Sequence, residues 1–296
     1  FNATTNRVEF LSNGAGNGII AVYDKSDPNA EDANVLWSWH IWCTEKPDII
    51  ELGLPTNGET YSGKNYKIMD RDLGATTTIP DILTTCGLGY QWGRKDPLYP
   101  SNGMGNTTKI WYDKEGIPST ANPMKGTFSA GNDCIKNCIL NPNLMHNRYN
   151  GDYTYYNLWS ADNKTTSAND NPVNKTIYDP CPVGFKLPAS NAFTGFTTTG
   201  ESVSSSTQVN GTWSSSEKGW YFYTNSEKTQ SIFFPALGYR SYSTMRPGSI
   251  GTQGCFWSAH PVAKGNNYYL RTSSVDVQPT YMVDRGFGYA LRPCQD

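Results

Sequence analysis

The residues of this chain that could do chemistry are few and scattered. Three histidines stand at positions 40, 146 and 260. None lies in a His-x-x-x-His or His-x-x-Glu-His arrangement, so a catalytic zinc has no support. His40 sits between Trp39 and Ile41 in an apolar alternation, the place of a hydrogen-bonded, half-buried ring rather than a proton carrier. A Gly-x-Ser-x-Gly elbow, a P-loop and a dinucleotide fingerprint are all absent. Seven cysteines stand at 43, 86, 134, 138, 181, 255 and 294, and an odd count leaves at least one free or paired outside the chain. Cys134-x-x-x-Cys138 lacks the second Cys or His pair that a structural zinc site needs. Cys255, between Gly254 and Phe256, has neither an adjacent cation nor a helix N-terminus to activate it, and reads as buried or bridged.

Oxygen-rich patches are the other chemical resource. Asp162-Asn163, Asp170-Asn171 and the stretch from Asp276 to Thr280 could each ligate calcium. No EF-hand order is present, however, and isolated Asp and Asn in loops mostly cap turns. No cofactor is expected, with calcium the only ion these oxygens could hold. Arg71, Arg94, Arg240 and Arg292 stand beside Gly, Asp or aromatic residues, where they are expected to bond loop carbonyls or carboxylates and hold long loops in place. Exposed Trp and Tyr could stack on sugar rings while Asn and Asp bind hydroxyls, although most of the aromatics are needed for a core.

The frame that must position these groups is set by composition and punctuation. At 296 residues the chain can hold one large β-rich domain or two ordinary ones. Charged residues are 17%, below the roughly 25% of an average soluble domain, and the polar balance rests on Ser, Thr, Asn and Gly. The 19 Tyr and 9 Trp can compensate for scarce aliphatics. A net charge of −2 gives no footprint for nucleic acid or an anionic membrane. The longest apolar run, Gly18 to Tyr23, is far short of a membrane span.

Short strands are predicted over Arg7–Phe10, Gly18–Tyr23, Leu36–Cys43 and Tyr66–Leu73. In the third, alternation puts Trp37, Trp39 and Ile41 on one face and His40 and Trp42 on the other. Leu88–Pro97 reads as a helical turn closed by Asp96-Pro97. From Tyr99 to about Tyr178 long loops are expected, with short helical pieces around Asn132–Leu140 and Tyr153–Ser160; loops this long are usually functional. A short helix fits Ala189–Phe193. Trp213-Ser214-Ser215 leading to Gly219–Phe222, and Trp257-Ser258-Ala259 leading to Gly265–Tyr269, both predict hairpins. The tail Phe233–Cys294 is a series of short aromatic strands ending in glycine, proline or polar turns.

Several of these blocks resemble the lectin-like domain of the Fibrobacter-type major paralogous family and related fimbrillin-like proteins of Bacteroidales. They are Val35–Trp42, Met69–Ala75, Gly89–Pro97, Lys175–Pro188, and the C-terminal Phe233–Arg240, Gly254–Ser258, Asn267–Arg271 and Arg285–Cys294. The resemblance implies an α+β, β-rich, C-type-lectin-like fold with long irregular loops over residues 35–296, preceded by remnant closing strands of a β-sandwich over residues 1–34. It also implies that Cys181 and Cys294 pair as a disulfide. Departures are visible: Cys43 replaces an aliphatic residue, and Gln278-Pro279-Thr280 lacks the acid that calcium-dependent sugar binding uses.

The function so implied is a non-enzymatic adhesion or ligand-binding module on the surface of a Gram-negative anaerobe, a tip or accessory subunit of a fimbria. Binding is expected from the 99–175 loops, through Trp111, Tyr153, Tyr155, Tyr156 and Trp159. The partners are then a host or bacterial surface glycan or protein and other pilus subunits, with neither nucleic acid nor a membrane span. Two alternatives remain at this level: a structural subunit assembling by strand addition through residues 1–23, and an enzyme of formylglycine-generating type using Cys134 and Cys138 as a copper-binding pair.

Overall fold

The computed structural model of the chain describes residues 4–5, 7–54, 66–80, 85–98, 111–112, 117–119, 125–126, 132–142, 144–146, 157–162, 165–262 and 265–296. In chain order the strands are β1 (Gly16–Tyr23), β2 (Val35–Cys43), β3 (Ile49–Leu52), β4 (Tyr66–Met69), β5 (Gly89–Gln91), β6 (Trp111–Tyr112), β7 (Pro118–Ser119) and β8 (Lys125–Gly126). The helix α1 (Asn132–Leu140) comes next, then β9 (Met145–His146), β10 (Phe185–Lys186), β11 (Gly211–Ser214), β12 (Gly219–Tyr223) and β13 (Ser231–Pro235). The chain continues through β14 (Tyr239–Arg240), β15 (Pro247–Gly248), β16 (Gln253–Pro261), β17 (Asn266–Ser273), β18 (Val277–Asp284), β19 (Gly288–Ala290) and β20 (Cys294–Gln295). The architecture is a β-rich α+β one.

The largest sheet runs β15-β14-β19-β16-β17-β18, with β5 also pairing β19. Its central strands explain why the tail lacks polar alternation: both faces are covered, so both sets of side chains are apolar. On β16, Phe256 joins one core and Cys255, Trp257 and Ala259 join the other. Leu270 and Tyr269 divide in the same way on β17, as do Ala290 and Tyr289 on β19. The first core is closed by the meander β11-β12-β13, whose Trp220 and Phe222 face Phe234 and Ile232 across the pair. Phe196 stacks flat on Phe222 with ring centroids 3.9 Å apart and meets Phe234 edge-on at 5.1 Å. The second core holds Trp92, Trp159 and Leu187.

A four-stranded sheet, β10-β20-β4-β3, lies beside this body. Its second strand is the end of the chain, paired on one side with Phe185-Lys186 and on the other with Ile68. The turn after β4 is locked to the tail: Arg292 Nε donates to Asp72 Oδ1 at 2.7 Å, and the Arg292 guanidinium lies 4.1 Å over the Phe234 ring. All four arginines singled out in the sequence act as expected. Arg71 binds Asp70, Arg94 binds the carbonyls of Leu144 and Pro142, and Arg240 binds the Met245 carbonyl.

β1 pairs antiparallel with β2 along its whole length, from Gly16↔Cys43 to Tyr23↔Val35. The expected division at residue 34 falls between the two strands of this hairpin, and side chains of β2 tie the hairpin to residues further along the chain. The inward-facing side chains of β2 make that attachment: Ser38 bonds Asp96, His40 bonds Tyr90, and Trp42 donates to the Ala75 carbonyl. Val8–Phe10 forms no strand.

Other expectations divide. α1 spans the predicted Asn132–Leu140, and both predicted hairpins are present as β11–β12 and β16–β17. Leu88–Pro97 is not a helical turn. Gly89–Gln91 is a strand because it pairs with Gly288–Ala290, and the chain turns at Trp92-Gly93. In Tyr153–Ser160, residues 157–160 carry no helix and Ser160 bridges to Lys175, while 153–156 lie outside the described residues. In the predicted Ala189–Phe193 helix, Ser190–Phe193 is instead a run of turns leading into a single 3-10 turn at Thr194–Phe196.

Candidate ligand-binding groove

The four-stranded sheet carries an open groove of about 420 Å³, within the range of small-ligand sites. Strand order builds it: Tyr66 and Lys67 come from β4, Cys294 to Asp296 from β20 and its end, and Lys186 and Leu187 from β10 and its continuation. The segment Asp170–Val173 forms the opposite wall. Val173, Leu187, Ala189 and Cys294 make a buried apolar floor, whereas Lys67, Asn171, Gln295 and Asp296 are exposed at the rim.

The polar groups above that floor are fixed in place. The Tyr66 hydroxyl donates to Asp170 Oδ1 at 2.7 Å and Asn191 Nδ2 donates to Asp170 Oδ2 at 3.2 Å. Each carboxylate oxygen can accept more than one donor, so these bonds orient the group without exhausting it. Lys186 and Asp296 form an ion pair at 2.8 Å. The hydrogen bond from Lys186 and then its charge hold the Asp296 carboxyl below the usual range, which makes Asp296 a poor proton donor near neutrality. Lys67, Lys186, Asp170 and Asp296 all line the groove, so its side chains carry equal numbers of formal positive and negative charges. Its donors and acceptors suit hydroxyl groups.

Of the residues expected to bind ligand, Trp159 does not line the groove. Trp159 is withdrawn from any surface: it is fully buried, packs 5.4 Å from Trp92, and its indole N–H donates to the Tyr178 carbonyl at 3.0 Å. Burial of a polar-tipped aromatic requires such a partner, and here the main chain provides it. Trp111 lies in β6, paired with Ser119 of β7. Tyr153, Tyr155 and Tyr156 lie outside the described residues. Of the proposed calcium sites, Asp170 is in the groove, Asp276 is paired with Arg271 at 2.9 Å, and Asp162 bonds Asn174. The described residues contain no cluster of three or more His, Cys, Asp or Glu able to hold a metal. Tyr66 and Lys186 carry no sequence signal for a site; Asp170-Asn171 does, as a turn-forming or cation-binding pair.

Several other titratable or nucleophilic groups are withdrawn from solvent. Ser190 Oγ lies 3.2 Å from His260 Nδ1, but both residues are buried and the hydroxyl also donates to the Asn169 carbonyl at 3.1 Å. That contact holds two segments together and offers no access to substrate. His40 has the satisfied, half-buried environment expected of it, with Nε2 2.8 Å from Asn17 Oδ1 and Nδ1 2.9 Å from the Tyr90 hydroxyl. Burial lowers its pKa to about 4. Cys255 is buried, and the loss of solvent raises it to about 12. Cys181 and Cys294 are both buried thiols, and burial raises both, Cys294 to about 12. No helix among the described residues is long and apolar enough to cross a membrane. No protein-family model, curated protein or solved structure matches the chain.

Proposed function

We propose that this chain is a non-enzymatic binding module of a bacterial cell surface, with an adhesive role as a fimbrial tip or accessory subunit. The groove of β4, β10 and β20 takes a neutral, hydroxyl-rich ligand such as a surface glycan. The observation that carries this reading is the groove itself: an apolar floor rimmed by charge-balanced, prefixed donors and acceptors, with Asp170 held by Tyr66 and Asn191. The C-type-lectin-like fold, the extracellular location and a Cys181–Cys294 disulfide belong to the same proposal. They are supported by the order of the sequence blocks, Lys175–Pro188 and the tail above all.

A glycan array with the wild-type protein and Asp170→Ala, each with calcium and with chelator, tests the assignment. Binding that survives chelator and falls at least about tenfold in the variant supports it, since a lost charged hydrogen bond is worth about 1.5–3 kcal/mol. Binding lost in chelator makes the protein a calcium lectin. Binding unaffected by Asp170→Ala moves the site to another surface. Absence of binding by the wild type moves weight to a protein ligand.

One observation favours a second reading, a structural subunit that accepts a strand. Among the described residues β1 pairs only with β2, and Val22, Leu36 and Trp39 of this hairpin are exposed. An open edge beside apolar side chains is a site for strand addition. Light scattering of wild type against Val22→Lys checks it: a lysine on the edge strand suppresses assembly if β1 is the acceptor.

A further inference from the structure

The helix α1 carries Cys134 and Cys138 four residues apart, which sets both thiols on one face. A cavity of about 20 Å³ lies against that face, lined by both cysteines together with Arg94, Lys95, Asp96 and Tyr178. It has room for one water-sized group. His146 stands nearby on β9 and favours ionisation of the Cys138 thiol. The cationic side of the cluster is held rigidly. Arg94 donates to the carbonyls of Leu144 at 2.6 Å and Pro142 at 3.1 Å, and to Gln91 Oε1 at 3.0 Å. The same Gln91 side chain accepts from the His146 N–H at 3.0 Å and donates to the His146 carbonyl at 2.8 Å. Lys95 is tied to Asp96 at 2.8 Å.

Two thiols on one helix face, lining one cavity with the anchored Arg94, differ from the other cysteines in kind. The hydrogen bond from Cys134 does most to hold Cys138 well below the ordinary thiol range, with Arg94 and His146 adding to it against the cost of burial. The pair shares one proton, so the easy ionisation belongs to both sulfurs together. Access then separates them: Cys138 is half-buried and Cys134 is buried.

We propose that Cys134 and Cys138 form a redox-active dithiol that reacts with low-molecular-weight disulfides, Cys138 as the attacking sulfur and Cys134 as the resolving one. In the first step the Cys138 thiolate bonds to one sulfur of the disulfide, whose S–S bond breaks to release a thiolate. In the second, Cys134 gives up its proton and bonds to the Cys138 sulfur, releasing the other half as a second thiolate, which takes that proton. The dithiol loses two electrons and the small disulfide gains them. Neighbours at i and i+4 on a helix have Cβ atoms about 5–6 Å apart, whereas a disulfide needs about 3.8 Å. The helix must tighten to close the bond, and a strained bond is readily reduced again. Reversibility is therefore part of the proposal.

Reduced protein treated with oxidised glutathione and mapped by mass spectrometry tests it. The wild type is expected to yield a Cys134–Cys138 bond, Cys134→Ser a glutathione adduct held on Cys138, and Cys138→Ser neither. With iodoacetamide at pH 6.5, Cys138 of the wild type should be alkylated at least about tenfold faster than the other half-buried thiol, Cys43. Equal rates at these two positions overturn the proposal, and this comparison needs no variant. So does a folded Cys134→Ser protein, verified by circular dichroism, that accumulates no adduct.

Discussion

Arg292 and Asp72 are 220 positions apart in the chain and form a buried ion pair at 2.7 Å, their side chains 1% and 0% exposed. Arg292 also donates to the Phe233 carbonyl and lies over Phe234, so it joins the tail, the turn after β4 and the meander. Removing one partner leaves the other as an uncompensated buried charge, which costs about 3–5 kcal/mol. Asp72→Ala is expected to lose that amount in urea unfolding. Asp72→Leu combined with Arg292→Met should lose markedly less than the two single changes summed.

His40 predicts the acid limb of stability. Its pKa is about 4 in the folded chain because burial disfavours the charged ring, against about 6.5 when unfolded. Between those values the unfolded chain binds more protons, so stability rises with pH. The contribution is complete above pH 6.5 and disappears as pH falls towards 4. It amounts to about 2 kcal/mol, less than a fully enclosed ring would give, because His40 is half-buried. Urea midpoints at pH 7 and pH 4.5 should separate more for wild type than for His40→Gln; equal separation would refute the assignment.

The groove predicts an asymmetry between Tyr66 and Lys67. Tyr66→Phe removes the hydroxyl that orients Asp170 and should weaken glycan binding about three- to tenfold while costing about 1 kcal/mol of stability. Lys67→Ala, at the exposed rim, should leave stability within about 0.5 kcal/mol of wild type. Titration calorimetry and thermal melts of the two variants distinguish these outcomes.

Gly238 predicts a steric limit. Its φ is +75°, and a Cβ there would stand 2.2 Å from the Gly248 carbonyl oxygen, a main-chain atom that cannot rotate away. Gly238→Ala should destabilise by about 2–4 kcal/mol through backbone strain and the displaced β14–β15 pair. A melting temperature within a degree or two of wild type would show that this turn yields.

How much the sequence discloses depends on how local each feature is. Helix α1 and the two hairpins are legible because neighbouring residues decide them, whereas the distant partners of Arg94 and Arg292 are not. Leu88–Pro97 misleads because Gly89–Gln91 takes its conformation from a partner strand at 288–290, and tertiary pairing overrides local preference. Trp159 sits among loop-forming residues, yet carbonyls of Tyr178 and Arg94 satisfy its N–H in the interior. The groove draws on residues near 66, 170, 186 and 295, and only the order β10-β20-β4 brings them together. Asp170-Asn171 carries a local signal for part of it; Tyr66 and Lys186 carry none.

The position of β19 and β20 has a consequence for biosynthesis. Residues 288–290 lie between β14 and β16, and residues 294–295 lie between β10 and β4. A ribosome delivers these segments after every strand they join. Until then Phe256, Trp257 and Ile68 lack their neighbours Ala290, Tyr289 and Cys294, and the nascent polypeptide carries two unfinished sheets with open edges. Both sheets therefore close only once β19 and β20 are available, and a chaperone that shields those edges would act on the chain before β19 and β20 emerge.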